Sequence, residues 1–146
     1  MINRRYLLDI NILIALLDPD HPFHYLAHKW WGMEGQPWAS CPITENGLIR
    51  IMASAAYSKN TQLSVADVSE MLSVFVTNTD HVFWPDDLSF RDQKKFEHTS
   101  ILSSKHLTDL YLLAIATKNQ GTLVTFDQNI STLPVASAKA ENLLIL

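Results

Sequence analysis

Apolar residues arrive along this chain in short bursts separated by turn-forming residues, and the bursts alternate between strand-like and helix-like spacing. Tyr6-Leu7-Leu8 is a brief apolar run ending in Asp9, the pattern of a buried strand, and Asn11 to Leu17 predicts a helix directly after it. Asp18-Pro19-Asp20-His21-Pro22 breaks that helix. A second helix is predicted from about Pro22 to Met33, with Phe23, Leu26, Trp30 and Met33 recurring at helical spacing. Trp38 to Cys41 predicts a second strand, and Pro42, unsuited to a central strand, opens a third helix. That helix runs from Ile43 to Tyr57 on the stripe Leu48, Ile49, Met52, Ala55 and Ala56. Ser64 caps a fourth helix, on which Val65, Val68, Met71, Leu72 and Phe75 repeat at three and four. His81 to Trp84, stopped by Pro85, predicts a third strand, and the polar segment 86–104 predicts helical pieces without definite ends. Thr108 reads as the N-cap of a helix with Leu110, Leu113, Ala114 and Thr117 on one face and Gly121 closing it. Thr122 to Asp127 is the clearest strand pattern, and Leu143 to Leu146 predicts a last strand. Strands alternating with helices predict a layered α/β domain with a mostly parallel sheet and right-handed crossovers.

Composition narrows the function more than the fold. The 146 residues suit a single domain spanning 1–146, and 47% hydrophobic against 18% charged residues excludes a disordered chain. The single cysteine, Cys41, excludes an internal disulfide and a cysteine metal cage, and before Pro42 it reads as a packed thiol. A formal charge of −4 excludes a protein that grips nucleic acid by charge alone. It does not exclude one whose carboxylates hold metal ions that meet the phosphates. Asp9 and Asn11 interrupt the apolar N-terminal stretch, no small-residue cleavage site follows, and no apolar run approaches membrane-spanning length. The expectation is a soluble cytoplasmic domain without a membrane partner.

In a parallel sheet the strand C-termini and the helix N-termini that follow them share one edge, where such folds place ligands. Four acids map there. Asp9 ends the first strand, Glu45 and Asp109 lie in first turns of helices, and Asp127 ends the strand from Thr122. An acid in a first turn offsets the helix macrodipole, which by itself accounts for Glu45 or Asp109 taken singly. Strand ends accept Asp as a turn residue, but Asp9 and Asp127 both follow buried apolar runs, which makes them harder to dismiss. Two carboxylates about 5 Å apart repel by roughly 3 kcal/mol at an effective dielectric near 20, so a gathered group takes up protons or a divalent cation. All-oxygen ligands favour Mg²⁺ or Mn²⁺ over zinc, and such ions activate water beside phosphate oxygens.

The stretches LLDINILIALLD, CPITENGLIRI from Cys41, HLTDLYLLAIA from His106 and GTLVTFDQNI from Gly121 stand in one order through most of the chain. Together they resemble the PIN-domain ribonucleases, most closely the toxin members of the bacterial VapBC toxin–antitoxin pairs. The resemblance implies a three-layer α/β/α sandwich and Mg²⁺- or Mn²⁺-dependent RNA cleavage with one or two ions, leaving a 5′-phosphate and a 3′-hydroxyl. It also implies neutralisation by a small antitoxin. The family's acidic quartet falls on Asp9, Glu45, Asp109 and Asp127. Asn11 matches the Asp-x-Asn of the first motif, where it orients the carboxylate or the metal's water, and Thr125 matches the hydroxyl residue two before the last acid. Ile10 stands where the family often has Thr or Ser.

Other residues carry weaker signals. Arg50 and the pair Lys94-Lys95 are candidate phosphate contacts, and His106 is a candidate RNA contact or proton shuttle. His21, His24 and His28 have the spacing of a metal face on a helix, but no matching carboxylate or Cys partner lies nearby in sequence, and His24 and His28 read as flanking a solvated or partner-facing surface. Trp30 and Trp38 read as core, and Trp31 as the tryptophan free to stack a base or meet a partner. Trp31, Tyr25 and Tyr57 exceed what one helix face needs, which predicts a homodimer contact and a groove for the antitoxin. That antitoxin is expected to set a basic side chain against the quartet. Two competing enzyme and binding classes stay open: a haloacid-dehalogenase-like phosphohydrolase, which wants Asp where Asn11 stands, and a catalytically silent PIN-like module. A DNA-binding repressor is disfavoured by the acidic charge and the lack of a helix-turn-helix pattern.

Overall fold

The computed structural model describes residues 4–58 and 60–146. Its strands are β1 (Tyr6–Leu8), β2 (Trp38–Ser40), β3 (His81–Phe83), β4 (Thr122–Thr125) and β5 (Leu143–Ile145). Its helices are α1 (Ile10–Leu17), α2 (His24–Glu34), α3 (Pro42–Met52), α4 (Val65–Thr77) and α5 (Leu107–Lys118). The strands lie in the order β3-β2-β1-β4-β5, and every pair is parallel. Successive strand residues point to opposite faces, and each face has its own core. Leu7, Ala39 and Leu123 pack with α5, while Leu8, Trp38 and Val124 pack with α1, α2, α3 and α4. This is the expected three-layer α/β/α sandwich. No helix among the described residues is long and apolar enough to cross a membrane.

Several elements depart from the expected bounds for local reasons. Helix α3 stops at Met52, not Tyr57, because the Ser54 hydroxyl bonds the Ile51 carbonyl at 2.9 Å and the chain turns. Ala55 and Ala56 are consequently exposed, and Tyr57 reaches back to donate its hydroxyl proton to Asp18. Helix α2 starts at His24 and buries Ala27 and Trp30, leaving Phe23, Leu26 and Met33 exposed. The histidines of α2 tie it to its predecessor. His24 Nδ1–H and His28 Nε2–H donate to the carbonyls of Ala15 and Leu16, both at 2.7 Å, satisfying groups that the end of α1 leaves open. Trp31 is not free: its ring lies 5.1 Å from Phe75 and 6.2 Å from Trp38.

Helix α5 begins at Leu107 with His106, not Thr108, as its N-cap residue. It buries every residue from Leu110 to Ala116 rather than one face. The cause is segment 84–106, which forms turns and two single 3-10 turns, His98–Ser100 and Ser104–His106, in place of helical pieces. It folds over α5 through Trp84, Phe90 and a fully buried Phe96. At the far end Gln120, at φ 57°, takes the left-handed position. Gly121 N–H then bonds the Ala116 carbonyl at 2.7 Å and Gln120 N–H bonds Thr117 at 3.0 Å. Gly121 is required for space instead: a Cβ there stands 2.7 Å from the Trp84 ring and 2.8 Å from the Arg5 carbonyl.

Candidate functional site

Strands β1 and β4 run side by side with Leu8 opposite Val124, so Asp9, the first residue past β1, stands beside Thr125, the last residue of β4. Asp9 is the N-cap of α1, its Oδ1 accepting from Ile10 N–H at 2.7 Å. Its Oδ2 accepts from the Thr125 hydroxyl at 2.7 Å. The same hydroxyl accepts from the backbone N–H of Asp127 at 3.1 Å, so Thr125 joins two acids. Asp9 is only 6% exposed. Burial raises its carboxyl above the ordinary range, against the two hydrogen bonds, and the charge of Asp127 raises it further.

Asp109 sits in the first turn of α5. Its carboxyl is pushed up to about 6, chiefly by burial and then by the charges of Asp9 and Asp127, with His106 opposing. Asp127 accepts from Asn129 N–H at 2.8 Å through Oδ1 and turns Oδ2 toward His106. His106 Nδ1 lies 3.7 Å from Asp109 Oδ2 and 3.6 Å from Asp127 Oδ2. One ligand atom from each of His106, Asp109 and Asp127 falls within 4.8 Å of the others. Hard carboxylate oxygens, the neighbouring negative charges felt by Asp109 and a nitrogen without a hydrogen-bond partner among the described residues suit a divalent cation among them.

Glu45 is placed differently. Its Oε2 accepts from the Ser40 hydroxyl at 2.5 Å, and Ser40 Oγ is 2.7 Å from His81 Nε2. Glu45 lines a cleft of about 350 Å³ with Ile49, Leu72, Val76, His81 and Phe83, and no hydrogen bond among the described residues joins it to the other three acids. Asn11 is exposed and makes no side-chain hydrogen bond among the described residues, so Thr125 and the Ile10 amide orient Asp9 instead. Arg50 is exposed on α3 without an ion pair among the described residues. The tryptophans are packed away, and the aromatic group beside Asp127 is Phe126, with Phe23 at 4.9 Å and His21 stacked at 6.5 Å. Cys41 is buried, which pushes its thiol up and keeps it unreactive.

Sequence reasoning read His106 only as a contact or shuttle. Its spacing of three from Asp109 was the signal that the two share a helix face. Ser40 was not singled out, since nothing in a strand residue's identity shows which acid it will meet.

The profile of the PIN domain matches residues 6–136. "Ribonuclease VapC44" of Mycobacterium tuberculosis (strain H37Rv) is 39% identical over 143 residues, spanning 97% of this chain and 99% of that protein. "Ribonuclease VapC39" of the same strain is 34% identical over 125 residues, spanning 83% and 87%. Among solved structures, VapBC2 from Rickettsia felis, bound to a DNA fragment from its promoter, superposes with a TM-score of 0.52. That likeness covers 97% of this chain and 96% of the other at 16% identity, and it bears on the fold.

Proposed function

This chain belongs to the PIN-domain family, and from that premise we propose that it is a metal-dependent endoribonuclease, the toxin of a type II toxin–antitoxin pair. The observation that carries the reading is the convergence of Asp9, Asp109 and Asp127 at the strand C-terminal edge, close enough for the charge of Asp127 to raise the carboxyl of Asp9 and for both to raise that of Asp109. Bound Mg²⁺ or Mn²⁺, one ion or two, supplies a water of lowered pKa and a positive charge for the phosphate oxygens. The chain's own part is placement. Thr125 and the Ile10 amide fix both oxygens of Asp9. Asn129 holds one oxygen of Asp127 and leaves the other directed into the site. Asp109 projects from the first turn of α5, whose other side is locked in the core. Glu45, bonded to Ser40, belongs to the quartet by its place in the motif but is not needed for the first ion.

The names of the VapC relatives and the VapBC neighbour support a cognate antitoxin as partner, and the exposed apolar residues of α2 support a homodimer. An antitoxin that sets Arg or Lys against Asp109 and Asp127 competes with the cation for the same oxygens. The test of the reading is cleavage of RNA by the purified chain with Mn²⁺, expected to stop in Asp9→Asn and to leave 5′-phosphate ends. Undiminished cleavage by a folded Asp9→Asn protein overturns it. Metal-independent binding of RNA without cleavage points instead to a silent module.

A further inference from the structure

His106 Nδ1 is shielded from solvent and has no hydrogen-bond partner among the described residues. Its distances of 3.7 Å and 3.6 Å to the oxygens of Asp109 and Asp127 exceed the ~3.2 Å limit of a good N–H···O bond. Leaving a buried polar atom unpaired is unfavourable, so a nitrogen held this way is poised for a ligand that is neither acid. The ring is held there by its backbone. His106 ends the 3-10 turn Ser104–His106 and is the N-cap residue of α5, yet its side chain makes no capping bond. Its Nδ1 is turned toward the two acids instead, beyond hydrogen-bond distance of either.

The spacing suits an ion. Ligands on opposite sides of a Mg²⁺-sized cation stand about 4.2 Å apart, twice the ~2.1 Å bond length. The nitrogen and one oxygen from each acid, all within 4.8 Å, close on such an ion with small side-chain adjustments. The fourth acid of the motif is engaged elsewhere, with Ser40.

We infer that His106 is itself a metal ligand, its Nδ1 completing with Asp109 and Asp127 the immediate surroundings of the ion, where an all-carboxylate site has a fourth acid. The inference rests on the metal-dependent reading above and changes its chemistry. An imidazole in place of a carboxylate makes the site less negative. It also tilts preference from Mg²⁺, which seeks hard oxygens, toward transition ions, of which Mn²⁺ is the mildest case.

The experiment is pulsed electron paramagnetic resonance of Mn²⁺ bound to the full chain, with calorimetric titrations of Mn²⁺ and Mg²⁺. Wild-type protein is expected to show the ¹⁴N modulation of a directly bound imidazole, replaced by the ¹⁵N signature when histidine is labelled. His106→Gln and His106→Asn, each checked for fold by circular dichroism, are expected to lose that modulation. Mn²⁺ affinity should fall about tenfold or more in both, the lower bound for disturbing a metal ligand's support, and Mg²⁺ affinity should fall less. Mn²⁺ bound without nitrogen coupling, or a coupling that survives both substitutions, overturns the inference and leaves the metal-dependent reading standing. No stoichiometric Mn²⁺ binding by the wild-type chain overturns both.

Discussion

The carboxyl of Asp109 makes the candidate site visible in a stability measurement without substrate. Folded, it holds its proton to about pH 6; unfolded, an Asp lets go near ~3.9. Between those limits the native state binds more protons than the unfolded one, so stability falls as pH rises through the window. In urea denaturation with chelator present, Asp109→Asn is expected to flatten that slope. It should gain ~1–2 kcal/mol at pH 7, a figure reduced because the side chain is partly exposed. An unchanged slope refutes the raised carboxyl of Asp109, which burial and then the neighbouring charges produce. Asp9→Asn should be close to neutral, since it relieves the repulsion but leaves either Ile10 N–H or the Thr125 hydroxyl without its acceptor. Glu45→Gln is expected to leave the affinity for the first Mn²⁺ within about twofold by calorimetry, because Glu45 faces Ser40. A tenfold loss there would show that Glu45 leaves Ser40 to join the ion. The acids' places were legible in the sequence because strand ends and helix starts share an edge whatever the side chains do. The pairing of Glu45 with Ser40 was not, since it depends on which way two side chains turn once β2 and β3 are zipped together.

Elements whose ends are written in local chemistry were legible to the residue. Ser64 and Asp67 exchange hydrogen bonds of 2.8 and 3.0 Å at the start of α4, and Pro42 opens α3. Ends decided by tertiary contact were not. The apolar stripe of α3 continues through Ala56 in the sequence, yet a hydroxyl bond and the reach of Tyr57 to Asp18 turn the chain four residues earlier. Likewise the all-round burial of α5 exists only because a polar-looking segment carries Phe90 and Phe96 across it. Two substitutions test the element contacts. Gly121→Ala forces a methyl against the Arg5 carbonyl and the Trp84 ring, and is expected to cost about 1–3 kcal/mol by denaturant titration. The double change His24→Ala with His28→Ala removes two bonds to the end of α1, at about 1 kcal/mol each. A loss below half that for the pair would mean that water replaces the rings there.

For the molecule as a whole, a cation that binds only the folded chain stabilises it by mass action. Millimolar Mn²⁺ is therefore expected to raise the melting temperature of the wild type and to do much less for a variant lacking Asp109 and Asp127. Equal shifts would mean that the ion acts elsewhere. The outer side of α2 leaves Tyr25 80% and Met33 74% exposed. Sedimentation is expected to find a dimer, and Tyr25→Glu with Met33→Glu a monomer. A wild-type monomer at high concentration would refute that assignment.

The hydrogen bond from Thr125 to Asp9 joins residues 116 apart in the sequence. Closing a loop of that length costs roughly 4 kcal/mol in chain entropy, which must be met before the contact returns anything. Local helices form far sooner than such parallel pairings. During refolding, helical ellipticity should therefore recover well ahead of Mn²⁺ binding. A half-folded chain carries its acids scattered along separate segments, harmless until the first and fourth strands lie side by side.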